Sequence, residues 1–442
     1  DKAFTAVFDH SLNEVVNQPK QVPVLINYNY SNKSYEKRPD EFDFLLLKKI
    51  DDLRIDHWFP SIPMMFKGEK WGDTWRAGVH AGMTHTHHFY TKRNLLALAM
   101  LYSDVADTGC KILLDMHNNM LTRANKQSSL HISNYFHGGG GVCKGHLTGT
   151  MYTPSLSPEI PVNKIFSDRA NTLKRGLSKL NNSIGSYVGT LQSAEKIECK
   201  ENTIDYIFID PPFGSNLMYS ELNFLDESWL KIHTNLISEA IENDSQDKGL
   251  DQYRNLMTLC FKEAFRLLKP GRWMTVEFSN TKARVWNAIQ TSLQEAGFVV
   301  ANVSALDKKQ GSFKAVNTPT AVKQDLVISA YKPDSSFEDG FSKEALNDEG
   351  VWEFVRNHLK YLPRVKGKGS DVGYIPERDP RISFDRMIAW YVRHGYAVPL
   401  SAQEFQSGLK ERFPERDGMF FLSEQVGEYD KARASSMEVP QL

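Results

Sequence analysis

The chain has 442 residues, of which 41% are hydrophobic and 24% are charged, and its formal net charge is −1. This composition is typical of globular proteins with two or three domains, each able to bury its own core. The neutral charge balance excludes attraction of nucleic acid by the chain as a whole, so such a partner would require local basic patches.

The sequence carries no sign of a membrane or secretory segment. No run approaches the roughly 18 apolar residues of a membrane span, and residues 1–16 lack the basic start and apolar centre of a signal peptide. The four cysteines are widely spaced and form no Cys-x-x-Cys pair: Cys110, Cys143, Cys199 and Cys260. We therefore expect a protein of a reducing compartment, the cytoplasm, without a zinc ribbon and without a membrane partner.

The first part of the chain predicts a flanking region followed by helices. Residues 1–85 are polar with clustered aromatic side chains, and we expect them to be irregular. From Lys92 an apolar stripe at helical spacing predicts a helix that ends near Gly109, and a second helix is predicted over 112–124. Residues 149–156 are predicted to be extended.

The segment from 163 to 332 predicts a sheet covered by helices. Short apolar runs predict strands at 204–210, 273–278, 298–303 and 325–331, the first of them of the buried type. Helices are predicted at 166–180, 252–268 and 285–296, and Lys269-Pro270-Gly271 is expected to end the second of these. This alternation indicates a mainly parallel sheet, in which the last two strands form an antiparallel pair because no helix separates them.

The tetrapeptide Asp210-Pro211-Pro212-Phe213 stands at the carboxyl end of the first predicted strand. Ligands of open α/β sheets bind outside the carboxyl ends of the strands. A carboxylate and a backbone carbonyl there can accept the hydrogens of an exocyclic amine, so that its lone pair points at a methyl donor. Proline makes the carbonyl rigid, and Phe213 can stack on a base turned out of its helix. The alternative is a turn that merely ends the strand.

These residues resemble a known family. The segment 205–333 resembles the amino-methylating DNA methyltransferases of bacterial restriction-modification or phage-defence type, whose catalytic motif is [DNS]-P-P-[YFW]. Residues 265–280 resemble the helix and strand that follow the motif, and residues 304–333 resemble the terminal strand pair. Further segments that resemble this family are 87–98, 149–156 and 415–434.

The resemblance implies a fold, a cofactor and roles for the motif. The implied fold is α/β, a Rossmann-like methyltransferase sheet with a terminal antiparallel strand pair and flanking, mostly helical regions. S-adenosyl-L-methionine would be the methyl donor and DNA the partner. Asp210 and the Pro211 carbonyl would hold the amine, Pro212 would shape the turn, and Phe213 would stack on the base. Asp at the first motif position favours adenine N6.

Several alternatives stay open at this point. Cytosine N4 is the second enzymatic interpretation, and RNA is a third substrate, since the motif acts on the amine and not on the sugar. A non-catalytic DNA-binding or structural subunit with a relic motif is the interpretation of another class. We divide the chain into a flanking region (1–85), a catalytic domain (86–333) and a C-terminal helical domain with a DNA contact (334–442).

One element of the family pattern is missing from the sequence. These enzymes carry a glycine-rich loop of the form DPFxGSGT that meets the methionine end of the cofactor. The glycines at 138–141 follow no predicted strand, and residues 111–120 begin like a strand that ends in Asp but lack following glycines. Because the chain does not begin with Met, we expect an upstream segment or a partner subunit to supply this loop.

Other candidate contacts rest on weaker patterns. Tyr90 and Thr91, with Asp210, are the candidate cofactor contacts. Basic residues in two polar stretches are the candidate DNA contacts: Lys308, Lys309, Arg364, Lys366 and Lys368. Four histidines (His80, His85, His87 and His88) lack cysteine or acidic partners at ligand spacing, so no metal site is predicted.

Overall fold

The computed structural model describes two compact units. The first comprises Asp1–Gly189, Leu217–Glu239 and Asn243–Asp247, and the second comprises Thr190–Asn216, Ala240–Glu242 and Lys248–Leu442. The description omits residues 1–2, 32, 65–81, 139–142, 145–150, 181–185, 187, 191, 216, 280–281, 307–324, 367–371 and 438–442. Among the helices it includes, none is long and apolar enough to cross a membrane.

The first unit begins with two β-hairpins. Antiparallel pairs form between β1 (Phe4–Asp9) and β2 (Glu14–Pro19), and between β3 (Ile26–Tyr30) and β4 (Lys33–Lys37). A third pair is short, β5 (Ser129–Leu130) with β6 (Cys143–Lys144). The expectation that residues 1–85 are irregular is therefore wrong for these strands. Their side chains are mostly exposed, so the sequence shows no alternation of buried and exposed positions.

The other regular elements described in the first unit are mainly helices. They are α1 (Glu41–Asp51), α2 (Lys92–Thr108), α3 (Lys111–Ala124), α4 (Ile132–His137), α5 (Val162–Leu180), α6 (Tyr219–Leu222) and α7 (Phe224–Leu230). The helix predicted from Lys92 is confirmed, and it ends at Gly109, which has φ +62°. The strand-like start of 111–120 is wrong, because Met116, Met120 and Leu121 recur at helical spacing and are buried together in α3. The described residues of the predicted extended segment, 151–156, belong to no strand.

The second unit contains a four-stranded mixed sheet. Its strands are β7 (Ile204–Ile209), β8 (Leu268–Phe278), β9 (Val299–Leu306) and β10 (Asp325–Tyr331), in the order β7-β8-β10-β9. β7 is parallel to β8, whereas β10 is antiparallel to both β8 and β9. The predicted antiparallel pair is therefore confirmed, whereas the prediction of a mainly parallel sheet is wrong for the described strands, since two of the three pairings are antiparallel. The fold is mixed α/β with a small sheet and many helices.

Two helices cover one face of this sheet. α8 (Leu250–Leu267) and α9 (Ala283–Ala296) contribute Phe261 and Ile289 to a core that also contains Met274, Val276 and Ile328 from the strands. Alternate residues of β8 face this core, which is why the predicted strand at 273–278 is confirmed.

One local expectation in this unit is wrong, and another is confirmed. β7 is not a buried strand: among the described strands it lies at the sheet edge, and the side chains of Tyr206 and Phe208 are 54% and 57% exposed. A short apolar run does not distinguish an edge from a centre. The prediction that Lys269-Pro270-Gly271 ends the preceding helix is confirmed, because α8 ends at Leu267 and β8 starts directly after it. Gly271 adopts φ +72° inside the strand, and its N–H donates to the Lys332 carbonyl at 2.9 Å.

The remaining helices follow β10 in the chain, and several of them pack on the opposite face of the sheet. They are α10 (Ser335–Glu344), α11 (Asp348–Tyr361), α12 (Pro380–Arg393), α13 (Ala402–Arg412) and α14 (Ser423–Met437), with a small pair β11 (Glu415–Arg416) and β12 (Met419–Phe420). Trp352 and Trp390 of these helices share one core with Val299 and Tyr331 of the strands. The helical character predicted after Pro333 is confirmed, and the domain boundaries at 85 and 333 stay predictions.

Close packing at Gly408 generates a stability prediction. A methyl group on Gly408 would lie 2.4 Å from ring carbons of Trp352, whereas one on Gly427, also in a helix, would meet no atom within 4 Å. We expect Gly408→Ala to lower the free energy of unfolding by about 1–3 kcal/mol through overpacking. Gly427→Ala should raise it by up to about 1 kcal/mol, because alanine favours helix. Urea unfolding of both variants tests this, and stabilisation by both would contradict the packing at Gly408.

A buried histidine generates a prediction of pH dependence. Burial, with Arg386 and Arg378 nearby, lowers the pKa of His358 to about 3. The imidazole of His358 therefore binds a proton more readily in the unfolded chain than in the folded protein. The free energy of unfolding falls as the pH drops below about 6.5, the usual pKa of histidine. Between pH 7 and pH 5 we expect His358 to account for a loss of about 2 kcal/mol.

Denaturant unfolding at the two pH values measures that loss. The difference between pH 7 and pH 5 should shrink in His358→Gln and persist in His57→Gln, which replaces an exposed histidine. An unchanged pH dependence in His358→Gln would show that His358 is not the responsible group.

Candidate active site

The predicted motif lies at the carboxyl edge of the sheet. Asp210 follows β7 directly, and Ile209 pairs with Val276 of the parallel strand β8. The carboxyl ends of the two strands therefore meet at the same edge, as the sequence predicts for a ligand site.

The turn after β7 is held by a buried tyrosine. The hydroxyl of Tyr253, a fully buried residue of α8, donates a hydrogen bond to the Pro212 carbonyl at 2.7 Å. Beyond the turn, Gly214 is buried with φ +70°, and its carbonyl accepts a hydrogen bond from the Glu242 N–H at 3.2 Å. Proline at two positions limits φ further. The main chain of the motif is therefore fixed from both sides.

Asp210 differs from Asp205, the aspartate inside β7. Asp210 is exposed, and its carboxylate has no hydrogen-bond or ion-pair partner in the described part of the chain. Asp205 is instead paired with Lys269 at 2.8 Å. An exposed carboxylate without a protein partner can accept hydrogens from a bound amine without first breaking an internal contact.

Phe213 is anchored in the core and partly accessible. Its ring lies edge-on to Phe278 of β8, with centroids 5.3 Å apart and planes at 78°, and the residue is half-buried. The contact fixes the direction of the ring. The assignment of Phe213 to stacking on a base stays a prediction.

The structure adds residues that the sequence analysis does not single out. Tyr253 lies 41 residues from Pro212, and Lys282, whose Nζ is 3.4 Å from the Ser215 hydroxyl, lies 67 residues from it. Glu242 is buried and pairs with Arg284 at 3.1 Å. No local pattern connects these residues to the motif, because the fold brings them there from separate helices and loops.

The two further cofactor candidates have structural partners. Tyr90 is buried, and its hydroxyl accepts a hydrogen bond from the Trp229 indole at 3.2 Å. Thr91 caps α2 by accepting from the Asn94 N–H, and its hydroxyl donates to Glu159 at 2.7 Å. Both lie in the first compact unit, whereas the motif lies in the second. Their assignment to the cofactor stays a prediction.

The structure describes only two of the five residues that are predicted to contact DNA. Arg364 is exposed and forms an ion pair with Glu428, and Lys366 is half-buried. Lys308, Lys309 and Lys368 lie outside the described residues. An arginine that already pairs with a carboxylate must exchange that partner to contact a phosphate.

Comparisons with known proteins find only distant structural likeness. No protein-family model and no curated protein matches the chain. Among solved structures, a candidate DNA modification methylase from Thermus thermophilus is 15% identical, with 52% of this chain and 96% of that chain covered and a TM-score of 0.21. In its selenomethionine form the identity is 13%, the coverage is 36% of this chain and 59% of that chain, and the TM-score is 0.19.

Other solved structures with similar likeness include different activities. An S-adenosylmethionine-dependent methyltransferase from Methanosarcina mazei is 13% identical, with 38% of this chain and 77% of that chain covered and a TM-score of 0.22. The [4+2]-cyclase SpnF is 15% identical, with 40% and 65% covered and a TM-score of 0.18. TM-scores near 0.2 carry no argument about this chain, so the function is argued from its own residues.

The hydroxyl of Tyr253 generates a prediction about the turn. Tyr253→Phe removes the donor and leaves the half-buried Pro212 carbonyl without this partner, so we expect a loss of about 1–2 kcal/mol in the free energy of unfolding. Tyr206→Phe is the matched control: its exposed hydroxyl donates to Thr275 at 2.7 Å, and its removal should cost less than about 0.5 kcal/mol. Equal losses in urea unfolding would argue against a special role of the buried bond.

Proposed function

We propose that this chain methylates the exocyclic amine of a DNA base with S-adenosyl-L-methionine as methyl donor, with adenine N6 as the target. One observation carries the proposal. Asp210 presents an exposed carboxylate without a described partner, at the carboxyl end of a parallel strand, next to a Pro-Pro turn whose second carbonyl is held by Tyr253.

The motif residues have complementary tasks in this proposal. Asp210 and the Pro211 carbonyl accept the two hydrogens of the amine, which favours a pyramidal nitrogen with its lone pair directed away from the base ring. The Tyr253 bond engages the Pro212 carbonyl and keeps the neighbouring Pro211 carbonyl in a fixed position. Phe213 supports the flipped base by stacking.

The cofactor would supply an electrophilic methyl group. No described strand pairs with the outer edge of β7, and the glycine-rich loop of the resembling family is missing from the sequence. We therefore assign that loop to an upstream segment or a partner subunit. Tyr90 and Thr91 remain candidate contacts of the cofactor.

The choice of base and the DNA path are the less constrained parts of the proposal. Adenine N6 is favoured over cytosine N4 because the first motif residue is Asp, which rests on the family resemblance. Basic side chains would contact phosphates along the DNA: Lys308, Lys309, Arg364, Lys366 and Lys368. Such contacts would make binding weaken as salt concentration rises.

Transfer of tritiated methyl from S-adenosyl-L-methionine to unmethylated DNA tests the proposal. The native protein, purified with any companion chain retained, should place label on N6 of adenine. Asp210→Ala should reduce incorporation by about 100-fold or more, since it removes a group that stabilises the developing charge. Nuclease digestion and chromatography of the nucleosides identify the labelled base.

Asp205→Ala is the matched control, because it removes a carboxylate of the same strand that is engaged with Lys269. It should retain incorporation within about twofold, since exposed ion pairs contribute little. Label on cytosine would show that the target base is cytosine and not adenine. Absence of label from the native protein, despite measurable DNA binding, would refute the proposed methyltransferase activity. The interpretation as a non-catalytic DNA-binding subunit would then remain.

A further inference from the structure

Three ligand-type side chains meet in a buried cluster of the first unit. His87 Nε2 and His88 Nε2 lie 2.7 Å and 2.9 Å from Asp9 Oδ2. Asp9 ends β1, and the two histidines belong to a short 3₁₀ turn, Thr86–Phe89. The exposed fractions of Asp9, His87 and His88 are 7%, 7% and 2%. The acidic partner that the histidines lack in the local sequence thus comes from 78 residues upstream.

The protein alone does not balance the charge and polarity of this cluster. The Asp9 carboxylate is buried, and its Oδ2 meets two imidazole nitrogens. A buried carboxylate is costly unless it is paired or coordinates a cation.

The neighbouring polar groups do not supply that compensation. Within the described residues, Asp9 forms no ion pair with lysine or arginine, and the buried Lys126 donates instead to the His88 carbonyl at 3.0 Å. Asp9 Oδ1 accepts the N–H of Ser11 at 2.9 Å, which orients the carboxylate. The buried His87 Nδ1 has no hydrogen-bond partner in the described part. The hydrogen-bond network thus leaves one buried polar atom unsatisfied.

We propose that Asp9, His87 and His88 bind a divalent transition-metal ion of the zinc class. Their three ligand atoms lie within 4.8 Å of one another. Two neutral imidazoles and one carboxylate are a donor set that Zn²⁺ accepts, with water as the fourth ligand. Bonds of about 2.1 Å in a tetrahedral site separate ligand atoms by about 3.4 Å, so Asp9 Oδ2 must move outward by roughly 0.5 Å from each nitrogen.

The ion would connect two distant parts of the chain. It would tie the end of β1 to the turn Thr86–Phe89. The chain four residues before this turn also lies close to the hairpin. There, a methyl group on Gly82 would lie 2.7 Å from the Phe4 ring and 3.1 Å from the Asn17 carbonyl. Binding of this kind stabilises the folded state because the unfolded chain has no assembled site. The site is independent of the methyl-transfer chemistry proposed above.

Zinc titration of the full chain, freed of metal by a chelator, tests the proposal. We expect one Zn²⁺ per chain after gel filtration, a rise of roughly 5 °C in the midpoint of thermal unfolding, and loss of both on renewed chelation. Co²⁺ in place of Zn²⁺ should give visible absorption bands of a tetrahedral nitrogen and oxygen site. Binding weaker than about 1 mM in the unaltered chain would overturn the proposal without any variant.

Variants separate this site from other histidines and cysteines. Asp9→Asn keeps the size of the side chain and a hydrogen-bond acceptor but removes the charge, and His88→Gln removes one nitrogen ligand. Each variant should weaken Zn²⁺ binding by about 100-fold, because each changes a side chain that binds the ion directly. His131→Gln, at the start of α4, should bind as the unaltered chain does. Equal zinc retention by the unaltered chain and Asp9→Asn would mean that the cluster is a hydrogen-bond network only.

Discussion

Main-chain hydrogen bonds between β7 and β8 hold the candidate active site against the core of the second unit. The parallel pairing aligns Ile209 with Val276, and it therefore brings the residues after both strands to one edge. From there Phe213 reaches Phe278, and Tyr253 reaches the Pro212 carbonyl. A shift of one residue in this register would reverse the faces of β7 and separate these contacts. The position of Asp210 thus depends on pairing that its own side chain does not make.

The outer edge of β7 is open in the described part of the protein. Tyr206 and Phe208 expose much of their side chains, and no described strand pairs with the outer edge of β7. Unpaired strand edges invite further pairing, and proteins usually cover them or protect them with charge. Within β7 the charged side chain is Asp205, near the start of the strand, so charge protects only one end of this edge.

Sequence patterns predict the helices and central strands because burial there has a clear period. Met274, Val276 and Phe278 alternate with half-buried residues in β8, and the apolar residues of α8 recur on one face. The exposed hairpins β1–β2 and β3–β4 have no such contrast, since both faces of their strands contact solvent. In β7 the sequence instead indicates more burial than the structure shows. Its apolar run indicates burial, while its edge position leaves two aromatic residues exposed.

The same distinction separates the two proposed sites. The Asp-Pro-Pro-Phe motif is visible in sequence because its residues are consecutive and follow one strand. The tyrosine that stabilises the motif and the aspartate that meets His87 and His88 are contributed from 41 and 78 residues away. Such partners have no fixed spacing, because loop lengths between packed elements vary at little cost in free energy. A histidine pair without a local acidic partner therefore gives no evidence against a metal site until the fold is known.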